Sequence, residues 1–160
     1  MLVLAACGPG STQPAPAATP LPAAEVRRLY LTAAAAYIQD EPQIEKAEYD
    51  HCTPETGSPN LAACEQALSQ DRQTTLAFDN AVRQIAFPDS ARTDVSRLLT
   101  DDAQLETLLE QAATAPSLSA IQAMSSQIFS LLSATSADGD RVRADIGLPA
   151  ATTPPSTPQP

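Results

Sequence analysis

The placement of proline constrains this chain more than any other feature. Proline carries no backbone N–H and its ring clashes with the preceding helical turn, so it punctuates helices. Pro54, Pro59, Pro88, Pro116 and Pro149 separate long runs in which apolar residues recur at three- and four-residue steps. No run alternates apolar and polar residues as a half-buried strand does. An all-α fold is therefore expected.

The first helix is predicted over 24–49, with Val26, Tyr30, Ala33, Tyr37, Ile44 and Ala47 facing inward. Pro42 lies inside it, which predicts a kink or a break near Asp40 to Pro42. The second helix, 60–86, carries Leu61, Cys64, Leu68, Thr75, Phe78, Val82 and Ile85 on one stripe and begins at a capping residue, Asn60. Phe87-Pro88 ends it. The third, capped by Asp89 or Ser90 and reaching Ala113, buries Val95, Leu98, Leu99, Leu105, Leu108, Leu109 and Ala112. The fourth runs from Ser117 through Ile121, Ile128, Leu132, Thr135 and Val142 to Ile146, where Gly147, Leu148 and Pro149 provide a left-handed cap and a stop. Asp138-Gly139-Asp140 weakens it locally. Four similar rods with short connections predict an up-down-up-down four-helix bundle. A three-helix bundle with a separate first segment follows instead if Pro42 breaks the first helix. Small residues at the seams, such as Ala33, Ala47 and Ala112, predict close helix approach and little room for a ligand cavity.

Outside 23–149 the composition changes. Residues 7–22 contain Pro9, Pro14, Pro16, Pro20 and Pro22 among Ala, Ser and Thr, and 150–160 repeats that bias. The first stretch predicts an extended tether and the second a disordered tail. Ahead of the tether, Leu4-Ala5-Ala6-Cys7 has the form of a lipobox, where a signal peptide is cut before a cysteine that receives acyl chains. A secretory signal has an apolar segment of roughly 7–15 residues, so 1–6 reads as the remnant of a signal with its start placed too late. Cysteine arithmetic agrees: with Cys7 lipidated, Cys52 and Cys64 remain as a pair around a turn-rich segment. A disulfide there would close a loop of about 13 residues and add about 3 kcal/mol in the chain-entropy picture. A zinc pair normally has closer spacing and further ligands, so the spacing fits a bridge.

With this lipobox, the tether, the Ala-rich helical segment and the terminal Arg143-Ala144-Asp145-Ile146-Gly147-Leu148-Pro149, the chain resembles small helical lipoproteins of high-GC bacteria. The resemblance implies export and lipid anchoring, on the outer face of the cytoplasmic membrane or in the periplasm or outer membrane. It implies no agreed activity.

Charge narrows the partners. A formal charge of −10, with Lys46 the sole lysine, argues against nucleic acid, whose binders neutralise phosphates with clustered Lys and Arg. It also opposes contact with anionic headgroups. The expected membrane contact is the N-terminal lipid alone, and the expected partner an envelope protein.

Catalytic and cofactor signatures are missing from the sequence. His51 is the single histidine, which excludes two-histidine di-iron and zinc-protease motifs. There is no haem-attachment motif, phosphate loop or nucleophile elbow. A triad built on His51 would borrow a histidine from a turn, and no sequence pattern supports it. No cofactor and no enzymatic activity are expected.

Two groups of carboxylates remain. Glu45, Glu48, Asp50 and His51 form an acidic cluster that could hold a hard cation, although calcium wants six to eight oxygens and the loop spacing is missing. A solvated acidic end is expected, and Asp138-Gly139-Asp140 is read as a chance fragment of a calcium loop. Asp71 and Asp102 fall near the apolar stripes at similar heights from the Phe87-Pro88 turn. Buried together they would repel and raise a pKa. A rotation of about 20–40° takes either to the boundary, where water solvates it, and that placement is expected. The functional expectation is a non-catalytic interaction module anchored in the envelope; the alternative is a lipoprotein binding a metal or small ligand at the acidic cluster or an interhelical cleft.

Overall fold

A computed structural model describes residues 21–53 and 58–151. Cys7, most of the tether, the 1–6 segment and nearly all of the C-terminal tail lie outside the described residues. Four helices follow in order: α1 (Ala23–Cys52), α2 (Leu61–Arg83), α3 (Arg92–Ala113) and α4 (Leu118–Asp145). Successive helices pack side by side as a four-helix bundle. Their antiparallel order is visible in cross-helix pairs: Arg72 meets Glu110 at 3.4 Å, Arg97 lies 3.9 Å from Asp138, and Arg27 Nη1 donates to Ile146 O.

The caps have local causes. Asn60 Oδ1 accepts from Ala63 N at 3.1 Å and Ser117 Oγ from Ala120 N at 3.3 Å, each satisfying an orphan donor of a first turn. At the end of α4, Gly147 adopts φ 75°, a backbone region that favours glycine. Leu148 N then donates to Arg143 O and Gly147 N to Ala144 O, the paired bonds of a Schellman ending. The third helix starts later than its sequence suggests. Asp89 pairs with Arg92 at 3.0 Å instead of capping, Ala91 N donates to Pro88 O, and Ala91 precedes the helix with no side-chain cap.

The helix α1 passes through Pro42 without a break, so the three-helix alternative is set aside. Pro42 still deprives one turn of its hydrogen bond. Replacing it with alanine is expected to raise stability by about 1–3 kcal/mol, read as a higher melting temperature; an unchanged or lower value would mean that the helix does not carry this cost. The Asp138-Gly139-Asp140 stretch is likewise helical, which rules out a calcium loop there.

The apolar interior is divided in two. One cluster joins Val26, Tyr30, Val82, Phe87, Val95, Leu98, Val142 and Ile146 at the end that holds the α2–α3 turn. The other joins Cys64, Leu68, Leu105, Leu109, Ala112, Ile121 and Ile128 at the opposite end, with Cys52 packed against it. The sulfurs of Cys52 and Cys64 are at disulfide distance, fastening the end of α1 to the start of α2. Between the clusters α2 and α3 contribute Asp71, Thr75, Asp79 and Asp102, all buried. This polar waist is where the bundle departs from a simple apolar core.

Candidate binding cleft

The first site feature is a seam that does not close. Whereas α1 packs along α2, and α3 along α4, the contact between α1 and α4 is slight. The reason lies in the facing stripes. Helix α1 presents Ile38, Glu41 and Glu45, and α4 presents Ser136, Gly139, Asp140 and Arg143, too polar to join as apolar ridges. A cavity of about 360 Å³ opens there, reaching in to Tyr30, Tyr37, Thr75, Phe78 and Asp102. Further along the same seam a wider cavity of about 930 Å³ lies between Glu45, Glu48 and Tyr49 on one side and Ile128, Phe129 and Leu132 on the other. Ile38, Tyr49 and Phe129, on the rims, are among the exposed large apolar residues. The small seam residues do not close the bundle as expected, because Ala33 and Ala112 serve the apolar clusters and not the α1–α4 seam.

Aromatic rings form one wall. Tyr30 and Phe78 meet edge to face at 6.1 Å between centroids, and Tyr37 tilts against Phe78 at 5.9 Å, favourable arrangements of ring quadrupoles. The Tyr30 hydroxyl donates to Gly139 O at 3.5 Å, a weak polar link across the seam. Burial pushes the Tyr30 hydroxyl up to about 12, and the Tyr37 hydroxyl also well above its usual range.

The floor is acidic. Asp102 is 4% exposed and Asp71 8% exposed, which corrects the expected placement of both at a solvated boundary. Neither helix rotates outward, because the same rotation would expose Leu68 and Val82 on α2 or Leu98, Leu105 and Leu109 on α3, all almost fully buried. Asp71 and Asp102 are not each other's partners. The Asp102 carboxyl neighbours that of Asp79, a residue absent from the sequence-based expectations. Burial, followed by the Asp79 hydrogen bond and charge, pushes the Asp102 carboxyl up to about 8. Two carboxyls in contact need a proton between them. Asp79 is raised too, chiefly by burial, while Arg83, at 2.8 Å, opposes the shift. Asp71 is pushed to about 6 by burial and by Glu41 and Glu45. Thr75, one turn from both Asp71 and Asp79, has a buried Oγ1 with no hydrogen-bond partner.

The acidic cluster at the end of α1 does not assemble as a metal centre. Asp50 pairs with Lys46, His51 Nδ1 faces Ser58 O at 3.4 Å, and Glu45 is exposed. Glu48 turns inward, with a buried, unpartnered Oε1 and a carboxyl that burial pushes to about 8. Among the described residues, no three His, Cys, Asp or Glu side chains converge to hold a metal ion. Asp138, also missed from sequence, is buried at 1% and pairs with Arg141. The signal for Asp79 and Asp138 was present: Asp79 continues a buried stripe at 71, 75, 79 and 82, and Asp138 lies one turn before the buried Val142.

Compared with protein-family models, with curated proteins and with solved structures, the chain matches none. The cleft is therefore read from its own chemistry.

Proposed function

We propose that this protein is a non-catalytic binding module, exported and held to a bacterial membrane through acyl chains on Cys7, whose α1–α4 cleft takes a small ligand with an apolar body. The observation that carries the reading is the open seam with a buried, unpartnered Thr75 Oγ1 at its floor and aromatic rings on its wall. A cavity lined by apolar surface with a few convergent polar groups is the usual form of a ligand site. The anchor is consistent with two further facts. No described helix is long and apolar enough to cross a membrane. The formal charge of −10 holds the bundle off anionic headgroups. The non-catalytic reading is supported by His51, the single histidine, which faces the Ser58 backbone carbonyl at the α1–α2 connection.

Two measurements test the reading. Cys7→Ser is expected to move the protein from the membrane to the soluble fraction; retention on the membrane would discard the anchor. Purified bundle is expected to enhance Nile red fluorescence saturably, with the enhancement lost in a variant plugged by Ala34→Trp and Ser136→Trp. Absent enhancement, or enhancement indifferent to the plug, would discard the cleft as the site.

A further inference from the structure

Resting on the cleft as a ligand site, we propose that its occupant is a small organic amine, bound as the ammonium ion between Asp102 and Thr75 with its apolar body against Tyr37 and Phe78. The argument begins with the threonine. Threonines on these helices commonly donate to a carbonyl one turn back, as Thr32 does to Arg28 O, Thr100 to Ser96 O and Thr107 to Ala103 O. Thr75 is 2% exposed and has no such bond. Thr75 lines the smaller cavity together with Asp102, which is 4% exposed and has a buried Oδ2 without a donor. An unmade hydrogen bond in the interior is costly. An ammonium group carries several donors on one atom and supplies both acceptors at once.

Charge and shape select the same class. Around the cavity Glu41, Glu45, Asp102 and Asp140 face a single cation, Arg143. Arg143 is held at the rim, its Nε donating to Pro149 O at 2.7 Å. An anionic ligand is thus opposed, and a metal ion finds too few ligands. An organic cation tolerates this site better than a bare ion, because aromatic faces attract it and its carbon body buries apolar wall. About 360 Å³ is near the lower limit of ligand pockets, which restricts the occupant to a small molecule.

The test is calorimetric titration at pH 8.5 with three probes of one shape: 2-phenylethylamine, 2-phenylethanol and phenylacetate. At that pH Asp102, pushed up to about 8 chiefly by burial, is more ionised than at neutrality. The amine is expected to bind at least tenfold more tightly than the alcohol, and phenylacetate to give no binding heat. Asp102→Asn should weaken the amine at least tenfold and leave the alcohol unchanged, with circular dichroism verifying the fold. Thr75→Val, which keeps the side-chain volume, should also weaken the amine. Equal affinity for amine and alcohol, or amine binding indifferent to Asp102→Asn, overturns the proposal while leaving an apolar cleft. No binding of the three probes alongside a Nile red response overturns it too, and assigns water to the polar floor. Failure of both the probes and Nile red removes the cleft reading itself.

Discussion

The melting temperature is expected to rise as pH falls from 8 to 5, opposite to ordinary acid destabilisation. The cause is the acidic waist. Asp102 and Glu48 titrate near 8 and Asp71 near 6 in the folded chain, each raised first by burial. In an unfolded chain such carboxyls titrate near 4. As pH rises above about 4 the unfolded chain gives up these protons while the folded chain keeps them, so the folded state loses stability. The loss ends near 6 for Asp71 and near 8 for Asp102 and Glu48. Each retained proton contributes a slope of about 1.4 kcal/mol per pH unit, and Asp102, raised first by burial, adds to that slope through the window. Relief of self-repulsion as the charge of −10 is titrated acts in the same direction.

Asp102→Asn separates the buried pair from this general effect. An Asn amide can donate to Asp79 without carrying a charge, so the variant is expected to melt higher at pH 8 and to lose about one proton's worth of slope. Thermal melts at half-unit pH intervals measure both. A flat wild-type profile, or an Asn variant that melts lower at pH 8, would refute the shared proton.

Removing the bridge between Cys52 and Cys64 is expected to cost about 3 kcal/mol, or roughly 10 °C in melting temperature. The bridge ties α1 to α2 beside an apolar cluster that contains no aromatic ring, so little else compensates. Cys64 is wholly buried, which makes alanine the milder replacement there and Cys52→Ser with Cys64→Ala the suitable pair. Wild type under reductant should show the same drop. Identical melts for all three samples, with both thiols alkylated readily in native protein, would contradict the bridge.

The helices were legible because their signals are local. Asn60 and Ser117 cap through bonds to residues three positions on, and Gly147 ends α4 through its own backbone angle. The start of α3 was not, since Asp89 had Arg92 within reach and satisfied its charge there. Pro42 was expected to bend or break α1, and the helix continues because its proline side is exposed while Ile44 and Ala33 hold the opposite side in place.

Asp71 and Asp102 were legible as candidates and misplaced by one decision. Periodicity locates a residue on a helix only to within a rotation of tens of degrees, and at a stripe's edge that uncertainty separates solvent from interior. The neighbouring leucines on both helices resolved it inward. Asp79 continues the stripe of Thr75 and Val82, and its burial runs against the usual exposure of aspartate. An interhelical cleft was legible only as an alternative and could not be placed, because an open seam is a property of two helices distant in sequence.

By itself the sequence determined the helices, the caps of α2 and α4, the all-α class and the cysteine pairing, since each depends on residues within a turn or one connection of each other. The tertiary structure alone decided which carboxyls are buried, which two neighbour each other and where the bundle stays open. Those outcomes depend on what faces each side chain across the interior, and burial in a low-dielectric setting acquires its energy only when the third and fourth helices are in place.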